Sequence, residues 1–175
     1  VDHEDAARQA TNHLLARGHR RIGYIDHAAT PFAQGSPAGR RAGYQAALLA
    51  AGAPLRASDE VIAEFSPAGG ETALLTLLAQ HDPPTAVFVG SDTQAAGVLA
   101  AARRLGRRVP ADLAVIGYND IDLAGYLDLS TMRVPMRDLG RQGVARLLEV
   151  IAQPPGAPVT TLLRAELVVR GSSGG

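Results

Sequence analysis

Asn119 and Asp120 are the residues of this sequence with the clearest capacity for chemistry. They follow the run 113–118, which is apolar and of strand length, as expected for a buried strand of a parallel sheet. Their short side chains carry hydrogen-bonding oxygens, and the amide of Asn119 also donates, so both suit a ligand that bears hydroxyl groups. Ligands of open α/β sheets bind beyond the carboxyl ends of the strands. We therefore predict that Asn119 binds a small ligand.

Several other side chains are predicted to reach the same edge of the sheet. Arg40 lies in the first turn of a predicted helix on that side, and Phe65 ends a predicted strand. A forked arginine, short amide or hydroxyl groups and one aromatic ring together suit a hydroxyl-rich molecule with a ring face. The predicted ligand-binding residues are Arg40, Phe65, Ser91 and Asn119, with His27, Asp92 and Asp120 as additional candidates.

Each candidate also has a simpler structural interpretation. Asp is a favoured N-cap, so Asp92 is more easily explained as the start of a helix than as a ligand contact. Asp120 could equally cap or brace its own loop, and His27 could lie on a loop surface. An isolated arginine such as Arg40 is more often solvated. Only the convergence of these residues on one edge favours a binding site.

The composition argues against most catalytic chemistry. The sequence has no cysteine, and all 17 basic residues are arginine, which excludes thiolate catalysis, zinc–thiolate sites and catalytic or phosphate-loop lysines. No Gly-x-Ser-x-Gly elbow joins a predicted strand to a predicted helix, and no Gly-x-Gly-x-x-Gly turn follows Asp26. His3 and His13 are ten residues apart on one predicted helix, too far to share an ion. We predict no enzymatic activity, no metal site and no cofactor.

Strands and helices alternate along the sequence and would position these residues. The predicted strands are 21–26, 60–65, 85–89 and 113–118, and segments with helical periodicity lie before and between them. Such alternation specifies βαβ units, so the predicted fold class is α/β, with a parallel sheet flanked by helices on both faces. Beyond Asp120 the pattern predicts a loop, a helix that begins at Pro135, and an edge strand within 159–169.

The charge balance indicates no polyanionic partner. The 17 basic and 17 acidic residues cancel, so no global field attracts the chain to nucleic acid or to an anionic membrane. No apolar run approaches the length of a membrane span, and the acidic segment 1–5 is the reverse of a signal peptide. We therefore predict a cytoplasmic protein without a membrane partner, and the missing initiator methionine suggests part of a longer chain.

Five segments, in their order and spacing, resemble the lactose/galactose-repressor family. They are residues 13–22 (HLLARGHRRI), 40–44, 84–89, 109–120 (VPADLAVIGYND) and 167–170. The resemblance covers nearly the whole chain. It implies a periplasmic-binding-protein-like fold of type I, which is the effector-binding core of bacterial transcription regulators, and this sequence resembles the second half of that core.

The resemblance also implies an organisation and a function. Family members carry a helix-turn-helix that binds DNA and two αβ subdomains that clamp a small effector, so DNA would be contacted only through parts outside this sequence. Residues 1–126 would form the C-terminal subdomain, 127–156 a crossover and a helix of the partial second subdomain, 157–170 a returning strand and 171–175 a flexible tail. The expected function is sensing of a sugar or nucleoside effector by a repressor. The alternative is a transport-type sugar-binding protein, which would need an export signal.

Single positions can be carried over from the family pattern. Arg40 matches the effector-binding arginine, and Phe65 matches the position where an aromatic ring often stacks on the ligand. Ser91 falls where asparagine is usual, and Asn119 falls where an aspartate often holds two sugar hydroxyls. An amide donates as well as accepts, so the hydroxyl pattern of the ligand is expected to differ.

The resemblance further implies a homodimer. Family members pair through the C-terminal subdomain, and the matching residues here are Tyr126, Ala95 and Leu99. Tyr126 is equally well explained as a half-buried aromatic residue of a loop, although tyrosine is enriched at interfaces.

Overall fold

The computed structural model of the chain describes residues 1–29, 35–153, 157 and 159–174. Its helices and strands are α1 (His3–Ala16), β1 (Ile22–Asp26), α2 (Gly35–Ala50), β2 (Glu60–Ile62), α3 (Pro67–Leu78), β3 (Ala86–Val89), α4 (Asp92–Arg104), β4 (Ala114–Asn119), α5 (Asp122–Tyr126), β5 (Ser130–Arg133), α6 (Met136–Ala152) and β6 (Glu166–Val168). The sheet has six strands in the order β2-β1-β3-β4-β5-β6. β1 to β5 are parallel, and β6 pairs antiparallel with β5 at the edge.

The sheet separates two apolar cores, because successive strand residues face opposite sides. Tyr24, Phe88 and Tyr118 pack with α1 and α2, whereas Ile25 and Val87 pack with α3 and α4. All five side chains are fully buried. With both faces covered, the central strands need no polar alternation and are continuous apolar runs. The predicted α/β class, with helices on both faces of a mostly parallel sheet, is confirmed.

Two predictions of secondary structure are wrong, one about the end of β2 and one about residues 130–133. β2 ends at Ile62, so Phe65 lies beyond the strand in the loop before α3. Residues 130–133 form β5, a strand of the main sheet, within the segment predicted as a loop and crossover. β5 shows no apolar periodicity in the sequence, because it is only four residues long and its first two residues are polar. The buried hydroxyls of Ser130 and Thr131 donate to the carbonyl oxygen of Arg170 and to Asp92, respectively.

The C-terminal residues 171–174 are part of the fold, so the prediction of a flexible tail is wrong for them. Ser172 and Ser173 are buried. The Ser172 hydroxyl donates to the carbonyl oxygen of Val115 at 2.7 Å and accepts from the backbone N–H of Ser130 at 2.8 Å. The two serines thus satisfy polar groups of β4 and β5, a role that a Gly/Ser-rich composition does not reveal.

α6 differs from the other long helices because none of its residues is buried. Val144, Leu147, Leu148 and Ile151 are each between 58% and 70% exposed. This apolar stripe is what we would expect of a helix that belongs to a second subdomain, and that assignment stays an expectation. Within the described ranges, no helix has both the length and the apolar character needed to cross a membrane.

Candidate ligand-binding site

A concavity of about 360 Å³ lies at the carboxyl edge of the sheet. Parallel topology places it there, because β1, β3 and β4 all end at this edge. Four of the predicted residues line it together: His27, Arg40, Phe65 and Asn119. The other lining residues are Val1, His3, Ser36, Gly90, Val134, Met136 and Leu139. The structure therefore brings these four candidates together, while their contact with a ligand stays a prediction.

Arg40 is positioned by a buried carboxylate, Asp26, at the end of β1. Nε of Arg40 donates to Oδ2 of Asp26 at 2.9 Å, and Nη2 donates to Oδ1 at 2.8 Å. Asp26 is 0% exposed and Arg40 only 4% exposed. A bidentate pair of this kind fixes the plane of the guanidinium group, so Arg40 would meet a ligand in one orientation.

The acceptor capacity of Asp26 is used within the protein. Besides the Arg40 bonds, Oδ2 accepts from the Tyr24 hydroxyl, and Oδ1 accepts from the backbone N–H of His27 at 2.8 Å. Gly90 leaves the space that this carboxylate occupies, since a Cβ atom at Gly90 would lie 2.3 Å from Oδ1. Asp26 therefore holds Arg40 and has no lone pair left for a ligand.

Tyr118 packs against Arg40 and links it to α1. The Arg40 Cζ atom lies 5.0 Å from the centre of the Tyr118 ring, within the range of a cation–π interaction. The Tyr118 hydroxyl lies 2.8 Å from Nδ1 of His3, and Nε2 of His3 lies 3.0 Å from Oγ of Ser36. Burial, followed by the charge of Arg40, lowers the pKa of His3 to about 4. His3 is therefore neutral at neutral pH and joins α1, α2 and β4 through one imidazole ring.

Asn119, at the end of β4, and Phe65, in the loop after β2, also line the concavity. Asn119 has a φ of 113° and Asp120 a φ of 55°, conformations that cost a non-glycine residue on the order of 1–3 kcal/mol. The Phe65 side chain is 53% exposed, and its ring packs edge-on against His27 with 4.9 Å between ring centres. An exposed aromatic ring beside hydrogen-bonding groups suits the face of a ring-shaped ligand.

Ser91 and Asp92 are buried and do not line the concavity, so the structure does not support their prediction as ligand contacts. Ser91 is fully buried and is the N-cap of α4, since its Oγ accepts from the backbone N–H of Gln94 at 3.1 Å. Asp92 accepts from the backbone N–H of Ile121 at 2.9 Å and from Oγ1 of Thr131 at 2.6 Å. The cap expected of Asp92 is thus made by Ser91, and Asp92 braces the loop after β4.

Asp120 also does not line the concavity, and the bracing role left open for it is the one observed. Its Oδ2 accepts from Nε of Arg133 at 2.7 Å, and its Oδ1 accepts from Nη2 of Arg170 at 2.8 Å. Although burial raises it, these two guanidinium groups hold the pKa of Asp120 below its usual value. These two ion pairs therefore connect Arg133 of β5 and Arg170, which follows β6, to the loop after β4.

Four hydrogen-bonding residues that line the site or support its lining were not predicted from the sequence: Asp26, His3, Ser36 and Tyr118. Tyr118 looks like one more apolar residue of a buried strand, and His3 and Ser36 meet only because α1 and α2 pack side by side. A usable signal existed for Asp26 alone. It is a carboxylate at the carboxyl end of an apolar strand, and the same criterion selected Asn119.

The residues predicted for a dimer interface occupy different environments. Tyr126 is 89% exposed, and with Leu99 it lines a second concavity of about 700 Å³ beside the segment that enters β4. Ala95 is 0% exposed and packs in the core beneath α4. The prediction of Ala95 as an interface residue is therefore wrong, because helical periodicity did not distinguish the inner face of α4 from its outer face.

Comparison with known proteins gives consistent relatives for this chain. The family model of the periplasmic binding protein-like domain matches residues 11–173. The HTH-type transcriptional repressor PurR of Yersinia pestis (strain Pestoides F) is 38% identical over 165 residues, which are 93% of this chain and 48% of that repressor. The chain thus spans about half the length of the curated relatives that it matches.

Solved structures agree with these relatives. A regulatory protein of the LacI family from Chloroflexus aggregans superposes with a TM-score of 0.88 and 31% identity, covering 99% of this chain and 62% of that protein. The transcriptional regulator CelR in complex with cellobiose superposes with a TM-score of 0.90 and 34% identity, covering 99% of this chain and 53% of CelR. The chain belongs to the periplasmic binding protein-like domain family, and the relatives that it resembles over nearly its whole length are transcriptional regulators.

Proposed function

We propose that this chain is the effector-sensing portion of a cytoplasmic repressor-type transcription regulator and that it binds a sugar-like or nucleoside-like molecule in the concavity around Arg40. The observation that carries the proposal is the convergence of Arg40, Phe65 and Asn119 on one concavity at the carboxyl edge of the sheet. Effector binding would shift a clamp of two subdomains, and DNA affinity would change through a helix-turn-helix outside these residues.

The chemistry of the three residues supports a hydroxyl-rich ligand. Arg40 supplies donors in a fixed plane, Asn119 supplies both a donor and an acceptor, and Phe65 supplies an apolar ring face. The cellobiose bound by CelR is a compound of this class. Ligand recognition of this kind needs hydrogen bonds and stacking and involves no covalent step.

The relatives favour a regulator over the alternative of a transport-type sugar-binding protein, since PurR, CelR and the Chloroflexus protein are all regulators. A simple observation separates the two functions. A helix-turn-helix encoded upstream of Val1 would support the regulator, and a secretory or lipoprotein signal in that place would contradict it.

Two substitutions in the full-length protein test the ligand site. Phe65→Ala removes the exposed ring, and Asn119→Gly removes the amide while accommodating the positive φ. Each is expected to weaken the binding of the effector by about tenfold, equal to about 1.4 kcal/mol. Isothermal titration calorimetry with pentoses, hexoses, disaccharides and nucleosides identifies the effector and measures its affinity for each variant.

Arg41→Ala provides the matched control, because Arg41 follows Arg40 in α2 but pairs with Glu60 on the surface. It is expected to bind the effector as the wild type does. Unchanged affinity in both Phe65→Ala and Asn119→Gly, or equal loss in Arg41→Ala, would refute the proposed site.

We also propose that Tyr126 and Leu99 contribute to a homodimer interface. A tyrosine that is 89% exposed beside a large concavity is typical of an interface residue. Tyr126→Asp introduces a charge that would be desolvated in such an interface, and it is expected to convert a dimer into a monomer in sedimentation velocity runs. A dimer that persists unchanged in this variant at micromolar concentration would contradict the assignment.

A further inference from the structure

We propose that Asp26 is a positioning residue that restricts this site to uncharged, hydroxyl-bearing ligands, because it holds Arg40 as a neutral ion pair. The inference rests on the proposed function and specifies the class of effector at that site. It concerns a residue that makes no contact with the ligand itself. Sugar phosphates and nucleotides would be excluded, whereas free sugars and nucleosides would be accepted.

The contacts of Asp26 support a role in fixing charge and orientation. Both carboxylate oxygens accept from Arg40, at 2.9 Å and 2.8 Å, and both are completed by further bonds from Tyr24 and the backbone of His27. Among the described residues, none accepts a hydrogen bond from Nη1 of Arg40. The guanidinium group is thus committed to Asp26 through Nε and Nη2, with Nη2 also 3.3 Å from Nε2 of His27, and Nη1 is left to donate to a ligand.

The described lining holds no second arginine that would compensate an anion, and its other basic side chains are the imidazoles of His3 and His27. Arg40 is the one arginine among the described lining residues, which include no aspartate or glutamate. His3 is neutral because its pKa is lowered to about 4.

These features decide between two ligand classes. A phosphate group is commonly held by an uncompensated arginine or lysine, because an anion that leaves water must regain favourable interactions. A hydroxyl group needs only a donor or an acceptor, and Arg40, Asn119 and Ser36 supply both. The neutral Arg40–Asp26 pair therefore favours the uncharged ligand.

Titration with inorganic phosphate tests the charge of the site independently of the effector. In the natural-length protein, calorimetry at constant ionic strength is expected to show no phosphate binding by the wild type at millimolar concentration. Asp26→Asn leaves Arg40 uncompensated and is expected to raise the phosphate association constant by about tenfold or more. The double substitution Asp26→Asn with Arg40→Gln restores neutrality and is expected to abolish that binding.

Asp59→Asn is the matched control, because Asp59 forms a buried pair with Arg21 at the opposite end of β1, with Nη2 of Arg21 2.9 Å from Oδ1 of Asp59. It is expected to leave phosphate binding undetectable, as in the wild type, whereas Asp26→Asn binds phosphate. Wild-type phosphate binding that Arg40→Gln abolishes would overturn the inference, as would a folded Asp26→Asn variant that fails to bind phosphate.

The two levels of the proposal fail in different ways. If Asp26→Asn does not fold, the wild type decides, because absence of phosphate binding supports the inference and binding that depends on Arg40 overturns it. If no compound of the neutral panel binds, the proposed function fails, and the phosphate titration still reports the charge of the concavity.

Discussion

Replacing Asp26 with alanine is expected to lower the free energy of unfolding by about 3–5 kcal/mol, because it leaves the guanidinium group of Arg40 buried without a counter-charge. Arg40 is only 4% exposed, so water can solvate its charge only in part. The Tyr24 hydroxyl and the His27 backbone N–H lose their acceptor at the same time. Urea unfolding followed by circular dichroism measures the loss.

A double substitution and a substitution on the surface serve as controls for Asp26→Ala. Asp26→Ala with Arg40→Met removes both charges and is expected to recover most of the lost stability, since an apolar pair needs no hydration. Asp112→Ala breaks an exposed pair with Arg108 and is expected to change the stability little. If Asp26→Ala were no more destabilising than Asp112→Ala, the pair would not stabilise the fold.

Gly97→Val is expected to destabilise the protein by about 2–3 kcal/mol, because the backbones of α3 and α4 touch at this position. A Cβ atom at Gly97 would lie 1.8 Å from the carbonyl oxygen of Pro67, and one at Gly70 would lie 2.0 Å from the carbonyl oxygen of Gln94. A rotamer change cannot relieve a clash with backbone atoms, so the two helices must separate. Thermal and urea unfolding measure the effect.

The same substitution elsewhere provides the control. Gly143 lies in α6 with no atom near the position of a Cβ, so Gly143→Val is expected to leave the stability almost unchanged. Because α4 starts at the brace that Asp92 makes with Ile121 and Thr131, Gly97→Val is also expected to weaken effector binding. Equal stability of the Gly97→Val and Gly143→Val variants would mean that α3 and α4 can separate without cost.

The carboxyl edge of the sheet shows how much of the candidate site can be predicted from sequence patterns. The alternation of apolar strands and amphipathic helices determines a parallel sheet, and such a sheet collects the residues that follow its strands at one edge. His27 directly follows β1 and Asn119 ends β4, so both could be placed at this edge. Ser91 satisfied the same criterion, yet it caps a helix, since the pattern does not tell which of two neighbouring polar residues accepts from the first turn.

The sequence by itself determined the fold class, the edge of the sheet that carries the site and the candidates Arg40, Phe65 and Asn119. Such features depend on local periodicity and on residues adjacent in the chain. Only the tertiary structure decided that Asp26 neutralises Arg40, that His3 bonds Tyr118 and that Ser172 completes β4. These contacts join residues up to 115 positions apart. Their strength depends on burial. That burial arises only when α1 and α2 cover one face of the sheet and the C-terminal turn packs against β4 and β5.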